Sequence, residues 1–267
     1  MSAVVAEAHE PRIGALGWLR IVVRTAAMLL LLLACVALYY LFHLFRRHNP
    51  WPRVFLSGVA WIAGIDVRVV GEKPAGGAFI LANHVSWIDI PALAHACGTA
   101  FVGHDGLAET PVIGWLCRIS DTVFVARHDR KSVAAQVEQV RIAIRDTGAL
   151  TIFPEGTTSD GTGLLPFKSS LLSALEPLPE GVSVVPVLLD YGAEAADVAW
   201  VGTEHGVDNF KRILARGRPV VVTVRFLAAL TGDDVKDRKA MAAAGRAALL
   251  GAMPNTLTIN GGKRGSW

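Results

Sequence analysis

The chain has 267 residues, 52% of them hydrophobic and 18% charged, with a formal net charge of +3 and an isoelectric point near 8.9. That mild basic excess suits an anionic membrane surface or an acidic substrate, and it excludes the dense positive field of a nucleic-acid binder. Three widely spaced cysteines, Cys35, Cys97 and Cys117, give neither a metal-ligand spacing nor a disulfide framework, and they read as reduced thiols in a cytosolic setting.

Behind a loose first eleven residues, the run from Thr25 to Phe45 is almost unbroken apolar, with five consecutive leucines from Leu29 to Leu33. Such a segment is long enough to cross a hydrocarbon core of about 30 Å, and it predicts a membrane anchor. It exceeds the apolar part of a signal peptide, and no small-x-small cleavage site follows it. Arg20 and Arg24 precede the run and Arg46 and Arg47 follow it, so charge asymmetry assigns no topology. A second apolar stretch, Val54 to Ile65, is too short to span. It is expected to return the chain to the same side or to lie in the interface with Trp51 and Trp61 at headgroup level.

From Asp66 the pattern alternates between strand-like and helix-like segments. Strands are predicted at 66–70 and 78–82 with residues 71–77 as the turn between them. A helix at 86–97, a strand at 100–102, a short helix at 111–119 and a strand at 122–126 follow. An amphipathic helix at 132–146 ends at Gly148. Then come a strand at 149–153, a helix at 169–175, strands at 182–189, 197–201 and 219–227, and a closing helix at 237–252. The expected architecture is α/β, with a mostly parallel central sheet flanked by helices and an N-terminal membrane-anchoring segment. Residues 1–65 would be tail and anchor, 66–253 the catalytic-type domain, and 254–267 a loose tail.

Polar chemistry gathers at the ends of these strands. His84 and Asp89 lie in Asn83-His84-Val85-Ser86-Trp87-Ile88-Asp89, a strand-to-helix turn of the kind where α/β folds place their sites. Histidine can take a hydroxyl proton near neutral pH, and a carboxylate can hold its tautomer. Five residues along a helix leave one face, so the pair meets only if His84 precedes the helix and Asp89 lies in its first turn. Ser86 and Asp89 also fit a capping box, in which Asp89 would serve only backbone N–H groups. Phe153-Pro154-Glu155-Gly156 fits a type I turn. Arg127, with Arg130 and Lys131, fits a solvated approach to a helix.

The ordered set Asn83-His84 with Asp89, Phe124-Val125-Ala126-Arg127, Phe153-Pro154-Glu155-Gly156-Thr157 and Val185-Pro186-Val187 resembles the four blocks of the glycerolipid acyltransferases, over residues 77–190. The resemblance is to the 1-acylglycerol-3-phosphate acyltransferase branch, with departures. His104-Asp105-Gly106-Leu107 stands where that branch commonly has Lys-x-Glu-Leu, and Thr158 where it usually has arginine. The stretches Glu155 to Gly161 and Pro166 to Ser170 are more similar to the subgroup that includes bacterial lyso-ornithine lipid acyltransferases.

The resemblance implies transfer of an acyl chain from acyl-CoA or acyl carrier protein to the hydroxyl of 1-acylglycerol-3-phosphate, or alternatively of lyso-ornithine lipid. It makes His84 and Asp89 catalytic and Arg127, Glu155, Gly156, Thr157 and Lys168 substrate-binding. No metal or other cofactor is implied. The expected setting is a membrane, a bacterial inner membrane with the catalytic domain on its cytoplasmic side. A membrane-tethered hydrolase is the rival enzyme, disfavoured because no Gly-x-Ser-x-Gly elbow or His-Glu-x-x-His helix is present. A non-catalytic lipid-binding module is the rival outside enzymology.

Overall fold

The computed structural model describes residues 13–44, 49–74, 76–109, 111–125 and 133–254. Two helices come first, α1 (Ala15–His43) and α2 (Trp51–Ala63), and α1 is long and apolar enough to cross a membrane by length and composition. They run antiparallel, with Leu31 seated against Gly58 and Arg24 near Gly64. Gly64 ends α2 in the left-handed conformation, at φ +78°, which a side chain would strain.

Seven strands follow: β1 (Ile65–Val70), β2 (Ala78–Ala82), β3 (Ala100–His104), β4 (Val123–Val125), β5 (Ala149–Ile152), β6 (Ser183–Asp190) and β7 (Val220–Phe226). Their order across the sheet is β1-β7-β6-β2-β5-β3-β4. Every neighbouring pair is parallel except β6 with β7. The helices between and after them are α3 (Asp89–Cys97), α4 (Asp105–Ala108), α5 (Pro111–Ile119), α6 (Val133–Thr147), α7 (Ala195–Val198), α8 (Gly206–Leu214) and α9 (Arg238–Ala252). The α/β class and the mostly parallel sheet are as the alternation implied.

Burial explains the order. All five residues of β2 are buried, as a strand covered on both faces must be. β1 is the edge strand, and its last three residues are exposed. Residues 71–77 are therefore not a hairpin turn, since β7 and β6 lie between β1 and β2. The helix α9 packs closely on β2 because Gly245 lacks a side chain, and a Cβ there would stand 2.7 Å from Leu81.

One expected strand is absent and one helix was not expected. Residues 197–201 form no strand: α7 occupies 195–198, and the chain then runs extended past Val85, to which the Trp200 N–H donates at 2.9 Å. The helix expected at 169–175 is present with those bounds and is of the 3-10 kind. The helix α8 lies where none was expected, although Phe210, Ile213 and Leu214 recur at helical spacing and pack into the core. Residue 65 is also no packing boundary, because Val59, Ala60 and Ala63 of α2 share a buried cluster with Leu93 of α3 and Val222 of β7. The tails expected at 1–11 and 254–267 lie outside the described residues, Pro254 apart.

Candidate active site

Three neighbouring strands, β5, β2 and β6, run parallel and end together. In register, Leu81 pairs with Ile152 and with Pro186, so the residues that follow emerge side by side at the carboxyl edge of the sheet. β2 delivers Asn83 and His84, β5 delivers Phe153 to Gly156, and β6 delivers Tyr191. This edge is where open parallel sheets present ligand sites.

His84 precedes α3 and Asp89 is its first residue, which meets the geometric condition set by their spacing. His84 Nδ1 lies 2.7 Å from Asp89 Oδ2. The same oxygen accepts the Val85 N–H at 2.6 Å and the Ser86 N–H at 3.0 Å. Asp89 thus serves backbone N–H groups of the loop before the helix and contacts the imidazole with one carboxylate, while the Ser86 hydroxyl turns to Asn209 and closes no capping box. The other oxygen, Oδ1, accepts from the Tyr191 hydroxyl. The Asp89 side chain is fully buried, whereas His84 keeps 19% of its side chain exposed. With Nδ1 bonded to Asp89, Nε2 is the nitrogen available to a substrate. The ring is also held from its face by Phe153, stacked with centroids 4.0 Å apart and planes 14° apart.

The turn after β5 fastens the loop from the other side. The Gly156 N–H closes it by donating to Phe153 O at 3.0 Å, and Gly156 sits at φ +68°, a conformation that glycine alone adopts without strain. Glu155 is 1% exposed. Its Oε1 accepts the His84 N–H at 2.9 Å and its Oε2 the Leu165 N–H at 2.8 Å. Burial raises its pKa, opposed by those two backbone bonds. Expected to contact an acceptor headgroup, this carboxylate is buried here, with each oxygen accepting one backbone amide. Ser159 adds two bonds to His84 O, from its N–H at 2.7 Å and its hydroxyl at 3.1 Å.

The remaining expected residues fall as follows. Lys168 is exposed, and its Nζ lies 3.0 Å from where a Cβ on Gly156 would stand, so its ammonium covers that turn. Thr157 is exposed beside it. The Thr158 hydroxyl is bonded to Trp200 O. Arg127, with His128, Arg130 and Lys131, lies outside the described residues. Two cavities, of about 300 and 370 Å³, lie elsewhere, and neither is lined by His84 or Asp89.

Sequence reasoning passed over the supports. The Asn83 amide straddles Leu189, accepting its N–H at 2.7 Å and donating to its carbonyl at 3.0 Å, which ties the loop to β6. The Ser86 hydroxyl donates to Asn209 of α8 at 3.2 Å, and the Asn209 amide group donates to Glu204 at 3.0 Å. Arg212 forks onto Glu204, with Nε 3.0 Å from Oε1 and Nη2 2.9 Å from Oε2. Tyr191 carried no local signal beyond its place just past a buried strand.

The family model described as Acyltransferase matches residues 65–190. The lyso-ornithine lipid O-acyltransferase of Rhodobacter capsulatus is 32% identical over 88% of this chain and 90% of its own length. The chain belongs to the acyltransferase family. The lyso-ornithine lipid O-acyltransferase of Brucella abortus is also 32% identical to this acyltransferase, over 85% of the chain and 91% of the relative. The 1-acyl-sn-glycerol-3-phosphate acyltransferase of Neisseria gonorrhoeae is 31% identical over 52% of the chain and 55% of its own length. The crystal structure of the 1-acyl-sn-glycerophosphate acyltransferase PlsC from Thermotoga maritima shares the fold. It aligns with a TM-score of 0.58 at 20% identity, covering 87% of this chain and 94% of that one.

Proposed function

We propose that this acyltransferase moves an acyl group from a thioester, acyl-CoA or acyl carrier protein, to the hydroxyl of a lysolipid, with His84 as general base. The observation that carries this is the 2.7 Å contact of His84 Nδ1 with buried Asp89, which orients Nε2 at the partly open edge. Nε2 takes the proton of the acceptor hydroxyl as its oxygen attacks the thioester carbonyl, and Asp89 stabilises the imidazolium that forms. Collapse of the tetrahedral oxyanion breaks the carbon–sulfur bond, and the imidazolium returns the proton to the departing thiolate. Each proton and charge in this scheme is handled by the chain's own residues, with no metal or redox cofactor assigned a step.

The oxyanion needs donors that are not already engaged. The N–H groups of His84, Val85, Ser86, Gly156 and Ser159 all have acceptors. Among the described residues no acceptor serves the N–H of Thr157 or of Thr158, and we assign the role to Thr157, the exposed one of the two. Lys168 over the Gly156 turn, together with Arg127, would contact the anionic part of the headgroup.

Lyso-ornithine lipid is the acceptor we favour. The Rhodobacter and Brucella relatives named for it match 88% and 85% of the chain, while the Neisseria relative named for 1-acylglycerol-3-phosphate matches 52%. Thr158, where that second branch usually carries a phosphate-facing arginine, is instead bonded to Trp200 O. The cation at Lys168 keeps 1-acylglycerol-3-phosphate as the second reading.

The setting is a membrane surface, the cytoplasmic face of a bacterial inner membrane. Exposed apolar side chains line α1, among them Leu19, Val23, Leu30 and Leu33, and Trp61 of α2 is 81% exposed. Arg24 holds α1 to Leu214 O and Arg216 O at 2.9 and 3.1 Å, and Trp115 of α5 reaches Tyr40 at 3.4 Å. Tied to the domain near both ends, α1 would lie in the interface, beside the lipid it acylates.

The test is a labelled acyl donor with both lysolipids in vesicles, using wild type and His84→Ala. Wild type should label lyso-ornithine lipid preferentially. His84→Ala should remove transfer by about 10²-fold or more while remaining folded and membrane-bound. Labelling of 1-acylglycerol-3-phosphate alone would overturn the acceptor, and an active His84→Ala would overturn the base.

A further inference from the structure

We propose that Tyr191 is a positioning residue that sets how strongly Asp89 supports a charged His84, and so the pH range in which the base works. This rests on the reading of His84 as general base.

Asp89 is fully buried and has four donors, of which three converge on Oδ2: His84 Nδ1 and the amides of Val85 and Ser86. Among the described residues, the Tyr191 hydroxyl alone bonds Oδ1. Tyr191 is 4% exposed and comes from the end of β6, so its single donor is committed to a charge that nothing else on that side meets. Burial first, then the neighbouring Asp89 charge and the bond to it, push the phenol pKa well above 10. The phenol therefore stays protonated as a fixed donor and relays no proton.

A donor at Oδ1 draws negative charge away from Oδ2, the oxygen that faces His84. Removing it leaves the carboxylate ionised, held by two amides and the imidazole, with more of its charge directed at Nδ1. The imidazolium is then favoured, and a higher pH is needed to free the base.

The other charged groups nearby are engaged elsewhere. Glu155, from the turn after β5, bonds the His84 and Leu165 amides. Lys168 stands over Gly156. Asp190, beside Tyr191, accepts the Gly192 N–H at 2.9 Å. Glu194 pairs with Arg216 and Arg218. On α3, His95 lies in the last turn, away from Asp89. From α8, the neutral Asn209 accepts from Ser86 and turns its amide group to Glu204.

The test is the pH profile of kcat/KM for full-length Tyr191→Phe in vesicles. Its acid limb should move upward by about half a pH unit or more, with activity recovered at alkaline pH. A fall in rate with the limb unmoved would overturn the proposal and leave the base assignment standing. A wild-type profile with no acid limb would instead overturn the base and this inference together. If Tyr191→Phe fails to fold, uniform 3-fluorotyrosine labelling of the wild type supplies a second measurement. That phenol is more acidic and nearly the same size, so it should move the limb downward. The chain has three tyrosines, and the other two, Tyr39 and Tyr40, lie on α1. An unmoved limb in fluorinated protein that retains the Tyr191–Asp89 bond by 19F NMR would also overturn the proposal.

Discussion

Replacing Glu155 by Gln separates a brace from a ligand contact. The carboxylate is 1% exposed and receives one amide at each oxygen, His84 N–H at 2.9 Å and Leu165 N–H at 2.8 Å. Gln keeps one acceptor and turns an NH₂ toward the other amide, so one charge-assisted bond is lost and one buried N–H is orphaned. Bonds to charged groups are worth about 1.5–3 kcal/mol, so stability should fall by about 2 kcal/mol. Displacing the amide of His84 moves its ring, and errors near 1 Å cost about 10²-fold in rate. The assay is initial rates with the acceptor varied, beside urea unfolding. The expectation is kcat down about 100-fold with acceptor KM within about threefold. An acceptor KM raised tenfold at unchanged kcat would refute the brace and restore Glu155 as a headgroup contact. The pH dependence gives a second check. Burial raises the folded pKa of Glu155 above its ordinary 4.5. The stabilisation from its proton is thus complete below that value and is lost as pH rises through the folded pKa. Over that window wild type should lose stability relative to Glu155→Gln, which does not titrate there.

Cys97 is pushed by burial to about 11 from an ordinary 9.0. At pH 8 its thiolate fraction should be about 100-fold below that of an unfolded cysteine, and alkylation followed by peptide mass spectrometry should show labelling slowed at least that far. Arg24→Ala removes two bonds, at 2.9 and 3.1 Å, from α1 to the end of α8. It should cost about 1–3 kcal/mol and open the first turns of α1 to limited proteolysis, with site chemistry preserved.

The alternation of short apolar strands with helices was enough to read the α/β class, because period and length are local properties of the chain. The candidate site was legible as types and spacings: His84 before a helix, Asp89 in its first turn, and a Pro-Glu-Gly turn after a strand. Sequence reading went wrong where a residue's partner is remote. Glu155 looked like a ligand contact, and only its burial against the His84 loop shows both oxygens engaged. Residues 197–201 have strand-like composition, yet they run as a helix and a loop under α8.

By itself, the sequence determined the periodicity, the apolar front end and the set of chemical groups, since each is written within a few consecutive residues. Tertiary structure decided that β2 sits between β5 and β6. That order brings residues 84, 155 and 191 to one edge of the sheet, where Asp89 and Glu155 find donors more than sixty residues away in the chain. Strand order follows from which strands can be buried on both faces, and that depends on the whole core at once rather than on any local stretch.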